Sequence, residues 1–292
     1  MIRRVMSLLI ALSAVVAALV VLPAATAQAA ACATAWNASA VYTGGQSASY
    51  NGRNYTAKWW TQNERPGSSD VWADQGACGG GGGEQPGGFV VSEAQFNQMF
   101  PNRNSFYTYS GLTAALSSYP AFANTGSDEV KKREAAAFLA NVSHETGGLV
   151  HIKEVNEANY PHYCDRNQPY GCPAYQAAYY GRGPIQLSWN FNYKAAGDAL
   201  GIDLLNNPYL VEQNASVAWR TGLWYWNTQS GPGTMTPHNA IVNNRGFGET
   251  IRSINGSIEC NGGNPAQVQS RIDKFTSFAQ ILGTTTGSNL YC

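Results

Sequence analysis

The spacing of apolar and polar positions divides the chain into a short stretch with the two-residue period of strands and a long stretch with the period of amphipathic helices. Strand-like pieces fall at 40–42, 47–50 and 54–60, separated by the turn signals Gly44-Gly45 and Asn51-Gly52. Helical spacing takes over downstream, at 92–100, 127–145, 192–200, 207–226 and 265–282, with long polar loops between. The two regions meet at the glycine-rich run 79–88, which holds too few side chains to pack a core and reads as a linker. This gives a small β domain at 30–78 and a mainly α domain at 89–292, with no internal repeat.

The helix at 127–145 carries the first chemical signal. Ser127 and Asp128 suit its start, and Lys131, Lys132, Glu134, Ala135, Ala136, Ala137 and Leu139 favour its interior. Phe138, Asn141 and Glu145 recur at i, i+3 and i+7, so Glu145 projects from a partly apolar stripe at the last turn. The helix's negative pole and apolar neighbours both disfavour a charged carboxylate there, which suits a general acid. A second carboxylate, Glu154, follows nine residues later. On an unbroken helix it would lie on the opposite face and about 13 Å along the axis. Gly147-Gly148 ends the helix and lets the chain turn, so that Glu154, in the polar run 153–157, faces Glu145 as an ionised base. An inverting glycosidase needs its two carboxyls about 6.5 to 9.5 Å apart, with water between them.

Composition narrows the partners. Eighteen basic and eighteen acidic residues cancel, and the 12% charged share is about half the usual one, so nothing favours nucleic acid or an anionic membrane. Eight Trp and sixteen Tyr instead supply rings on which the C–H faces of sugars stack. Arg3 and Arg4, an apolar run from Val5 to Leu22 and Ala27-Gln28-Ala29 form an export leader over 1–29, and no later stretch would span a bilayer. A secreted, extracellular monomer is expected. Six cysteines in an exported chain point to three disulfides, with fifteen pairings open. The nearest-neighbour scheme Cys32–Cys78, Cys164–Cys172 and Cys260–Cys292 keeps each bridge within one domain. No cofactor is implied, and no metal site, since there is no Cys-x-x-Cys and the four His are scattered.

Adjacent Trp59 and Trp60 cannot both face the core of one strand, so at least one is expected to be exposed. With Ala35-Trp36, Tyr42, Gly44-Gly45, Tyr50-Asn51-Gly52, Tyr55, Ala57-Lys58 and Trp72 before Cys78, they make the small domain resemble carbohydrate-binding module families five and twelve. That resemblance implies a disulfide-stapled β chitin-binding module, with Trp59 and Trp60 lying on polysaccharide.

The large domain resembles the glycoside hydrolase family nineteen chitinases through four blocks: 144–148 (His-Glu-Thr-Gly-Gly), 179–188 (Tyr-Tyr-Gly-Arg-Gly-Pro-Ile-Gln-Leu-Ser), Asn192-Tyr193 and 254–260 (Ile-Asn-Gly-Ser-Ile-Glu-Cys). The resemblance implies a mainly α, bilobal, lysozyme-like catalytic domain acting on chitin and chitooligosaccharides. It implies that Glu145 is the acid, that Glu154 is the base, and that Ser188 helps hold the attacking water. Gln186, Asn192, Asn255 and Tyr180 become sugar contacts, while Glu259, Arg271 and Arg182 form a charged network behind the acid. Plant relatives carry a longer insertion between acid and base, so Glu154 rests on the short bacterial pattern. The rival readings are a muramidase-like enzyme cutting peptidoglycan and a lectin without catalysis. His144-Glu145 also begins a zinc-protease motif, but its second His would fall on Gly148.

Overall fold

The computed structural model describes residues 32–34, 36–37, 40–50, 53–78 and 88–292. The leader, most of the linker and the Asn51-Gly52 turn lie outside these residues. In the small domain β1 (Val41–Tyr42), β2 (Ser47–Tyr50), β3 (Arg53–Ala57), β4 (Thr61–Gln62) and β5 (Trp72–Ala77) make two antiparallel sheets, β1-β4 and β2-β3-β5. Alternation buries Tyr55 and Ala57 of β3 against Ala48, Val71 and Trp72. So small a core needs its staple, Cys32–Cys78.

Two sequence expectations change here. The strand anticipated at 54–60 ends at Ala57, so Trp59 and Trp60 lie beyond the ladder, where alternation no longer applies, and both are exposed, by 53% and 60%. β5 was not anticipated. Its Ala-Asp-Gln-Gly-Ala run has little strand propensity, and pairing with β3 overrides it.

The helices of the large domain are α1 (Glu93–Met99), α2 (Tyr109–Ala115), α3 (Asp128–Glu145), α4 (Asn190–Leu200), α5 (Leu210–Gln213), α6 (Ala215–Thr228), α7 (Pro237–Val242), α8 (Phe247–Glu259) and α9 (Pro265–Leu282). Ser92, Ser127 and Asn264 cap α1, α3 and α9 through their side chains. The helix anticipated at 207–226 is two, because Asn214 accepts the Val217 N–H and restarts the chain as α6. α2, α7 and α8 fall where the sequence predicts polar loops.

Two apolar clusters make the domain bilobal. One gathers α1, α2, α3 and α9 around Phe96, Phe138 and Phe275. The other gathers Tyr179, Ile185, Leu187 and Tyr193. α6 serves both, placing Trp219, Leu223 and Trp226 in the first and Val217, Ala218 and Trp224 in the second. Glu134, fully buried on α3, accepts from Trp226 Nε1, His238 Nδ1 and Ala123 N at 2.9, 2.6 and 2.9 Å, and so pins α3 to its neighbours. Cys164–Cys172 and Cys260–Cys292 close loops of this domain, as the nearest-neighbour scheme expects. Among the described residues no helix is long and apolar enough to cross a membrane.

Candidate active site

Glu145 is the last residue of α3. Gly147 and Gly148 follow with φ of 61° and 84°, and the Gly148 N–H returns to Ser143 O at 2.8 Å, closing the helix in a Schellman turn. The surroundings of Glu145 are not the apolar ones its stripe suggested. Arg271, 1% exposed on α9, donates through Nη2 to Glu145 Oε1. The same guanidinium grips Glu259 of α8 in a two-point fork, Nε to Oε2 at 2.8 Å and Nη2 to Oε1 at 2.7 Å, and reaches Asn141 Oδ1 at 3.1 Å. Asn255 Nδ2 completes Glu259 at 2.8 Å. It can do so because α8 kinks there, with Asn255 at φ −143°.

Burial alone would push the Glu259 carboxyl up, but the hydrogen bonds and charge of Arg271, helped by Asn255, hold it below the ordinary carboxylate range. Its contribution to stability is therefore present above that range and is lost as pH falls through the lowered value. With Glu259 matched to Arg271, Glu145, whose side chain is 18% exposed, is the member of the cluster that reaches solvent. It borders a cavity of ≈ 290 Å³ lined also by His144, Asn255, Asn264 and Gln267.

The second carboxylate sits on a different support. Residues 152–154 lie antiparallel to 181–183, with Lys153 opposite Arg182, and Arg182 is in turn opposite Leu187. That register sets Glu154, Gly181 and Ser188 side by side on one face of three adjoining segments, and the Glu154 N–H reaches Gly181 O at 2.8 Å. Gly181 adds no side chain of its own between Glu154 and Ser188, and the Gln186 side chain packs over it. A Cβ there would meet Gln186 Oε1 at 3.0 Å. Glu154 Oε1 accepts from Asn159 Nδ2 at 2.7 Å and Tyr163 OH at 3.0 Å. Burial, then the Glu154 charge, push the Tyr163 hydroxyl up to about 12, which keeps it a donor. Ser188 O holds Asn192 Nδ2 at 3.0 Å, and Gln186, at φ 52°, turns its amide to Gly183 O at 3.0 Å.

Two expected roles do not survive. Tyr180 is 4% exposed and clamped between the Tyr160 ring and the Arg182 guanidinium, each 3.6 Å from its ring centre, so neither face is free for a sugar. Arg182 stands apart from the Arg271–Glu259–Glu145 network. It is fully buried beside the base segment, bonded to Glu212 at 2.8 Å, Tyr193 OH at 2.8 Å and Ala178 O at 2.7 Å. Sequence reading missed Asn159 and Tyr163, whose only hint was their place in the polar run after Glu154. It also missed Asn190, which ties the loop closed by Cys164–Cys172 to α4 through Asp165 O and Gly171 O.

Glu145 and its partners thus ride on the first lobe, and Glu154 and its partners on the second. The sequence profile of the chitinase class I family, glycoside hydrolase family nineteen, matches residues 90–292. The chain belongs to this family. Residues 35–73 match carbohydrate-binding module family 5/12. The solved chitinase C of Streptomyces griseus HUT6037 is 83% identical, with 89% of this chain and 100% of that one covered and a TM-score of 0.69. A class IV family nineteen chitinase of Zea mays is 42% identical over 70% of this chain and 98% of that one, with a TM-score of 0.62. Endochitinase EP3 of Arabidopsis thaliana is 45% identical over 210 residues, 70% of this chain and 73% of that protein. The bilobal helical chitinase domain and small β module expected from the motifs are both present. In this chitinase Glu154 follows Glu145 by nine positions.

Proposed function

We propose that the chain is a secreted, monomeric endochitinase that cuts β-1,4 bonds between N-acetylglucosamine units with inversion. Its leader is 1–29, its chitin-binding module 30–78, its linker 79–88 and its catalytic domain 89–292. Glu145 gives its proton to the departing sugar oxygen, and Glu154 takes a proton from the water that attacks the opposite face of the ring. Ser188, in register with Glu154 across Gly181, orients that water, while Gln186, Asn192 and Asn255 offer amides to N-acetyl and hydroxyl groups.

The observation that carries this reading is the register Glu154–Gly181–Ser188. Glu154 and Ser188 flank Gly181, with the Gln186 side chain packed over it, on the second lobe, while the only solvent-reaching carboxyl of the Arg271 cluster stands on the first. Trp59 and Trp60, exposed side by side, anchor the enzyme to insoluble polymer, and the linker converts that anchoring into local concentration.

One assay series tests the function. Soluble chitin oligosaccharides should be cut internally and bacterial cell walls left intact, and the double variant Trp59→Ala/Trp60→Ala should lose about tenfold or more of its binding to insoluble chitin while cutting soluble oligosaccharides at the wild-type rate. Lysis of walls without oligosaccharide cleavage would favour the muramidase reading. Unchanged adsorption of the double variant would remove the two rings from the anchor.

A further inference from the structure

His144 precedes the proposed acid, lines the same cavity, and has no role in the mechanism above. Its Nδ1 lies 3.1 Å from Ser270 Oγ on α9, and Lys274, one turn further along α9, donates through Nζ to that same Oγ at 3.0 Å. An ammonium only donates, so Ser270 Oγ accepts from Lys274. Its own hydrogen is then available to His144 Nδ1, 3.1 Å away. A donor aimed at Nδ1 is compatible with the neutral ring that carries its hydrogen on Nε2, and not with the imidazolium.

We propose that Lys274 and Ser270 are positioning residues for the acid: they hold His144 neutral, in the Nε2–H form, so that Arg271 remains the one cation beside Glu145. The inference rests on Glu145 being the acid. An imidazolium next to Glu145 would favour its ionised form and take away the proton the reaction needs.

The charges around the ring act in both directions. Burial and the Arg271 charge push the imidazole down to about 4, and Lys274 adds to this, while Glu259 of α8 and a hydrogen bond with Gln267 oppose it. Glu145 follows His144 on α3 itself. Arg271 and Glu259 act on the ring by charge alone, whereas Ser270 touches it directly and Lys274 acts both by charge and through Ser270.

The full-length protein, ¹⁵N-labelled at histidine, tests the chain of bonds directly, with the His144 signal identified by its loss in His144→Gln. In wild type the Nδ1 and Nε2 shifts should report the Nε2–H form down to pH 5. Lys274→Met and Ser270→Ala should each raise the proton affinity of His144 about tenfold or more, and Lys274→Arg should restore it. The kcat on soluble oligosaccharide at pH 5, relative to that at pH 7.5, should then fall about threefold in both variants with KM unmoved. Lys274 and Ser270 are both only partly buried, so the variants are expected to fold, and a role in packing alone would not move the histidine titration. An unchanged His144 midpoint in both variants, or an Nδ1–H ring in wild type, overturns the proposal. A raised midpoint with no change in the pH dependence of kcat would separate His144 from the acid, and that result would count against Glu145 as proton donor while leaving the hydrogen-bond chain in place.

Discussion

Glu145→Gln loses between about 10²- and 10⁴-fold in turnover of soluble chitin oligosaccharides and still adsorbs to insoluble chitin. Glutamine has the same shape and can still accept from Arg271 Nη2, so the cluster with Glu259 and Asn141 has no reason to collapse. What disappears is the transferable proton, and an amide cannot replace it. The adsorbing rings, Trp59 and Trp60, belong to another domain and are untouched. The loss should therefore fall on kcat, with the melting temperature near that of wild type. Turnover within a few-fold of wild type would remove Glu145 from the acid role.

Arg271→Met destabilises the catalytic domain by about 3 to 5 kcal/mol at pH 7, because it strands Glu259, 2% exposed, without its cation. For a helical domain of this size that corresponds to a melting point lower by roughly 10 °C. The sign with pH distinguishes this account from a simple packing defect. In wild type Arg271 and Asn255 hold Glu259 below the ordinary range, so its stabilisation fades as pH falls through that value. In the variant burial outweighs the remaining hydrogen bond from Asn255 and raises the carboxyl, so folding favours the protonated form and stability is lost as pH rises. The gap between wild type and variant should be widest near neutrality and should narrow towards pH 4, as followed by thermal melts across that range. Arg271→Lys should recover only part of it, since an ammonium cannot repeat the two-point grip on Glu259 while also reaching Asn141 and Glu145. A gap independent of pH would point to lost packing alone.

Much of this was legible in the sequence where local chemistry decides structure. Ser127 and the Gly147-Gly148 pair bracket α3, and Asn264-Pro265 opens α9 where its pattern begins. The same stripe that carries Glu145 carries Asn141, and Asn141 proves to be a partner of Arg271. Other features were hidden because distant contacts set them. α8 contains two glycines and a kink at Asn255, and it holds as a helix by packing Phe247 and Ile251 into the first core. α2 and α7 are short, and their signals, Thr108 before α2 and Thr236-Pro237 at the start of α7, stand out only once the helices are known. Tyr180 and Arg182 fall inside a sugar-site motif, yet they stack on each other in the interior, a relation that no spacing reveals. The apolar stripe of α3 likewise gave no hint that a buried guanidinium from α9 would meet Glu145.

The central claim is a division of labour between the two glutamates: one gives a proton to the departing sugar while the other draws water onto the far face. Proton NMR of the products in the first minutes of hydrolysis, before mutarotation, tests it most directly. The new reducing end should appear as the α anomer. A β anomer at the outset would mean that the bond is broken with retention, and it would contradict a base-activated water at Glu154.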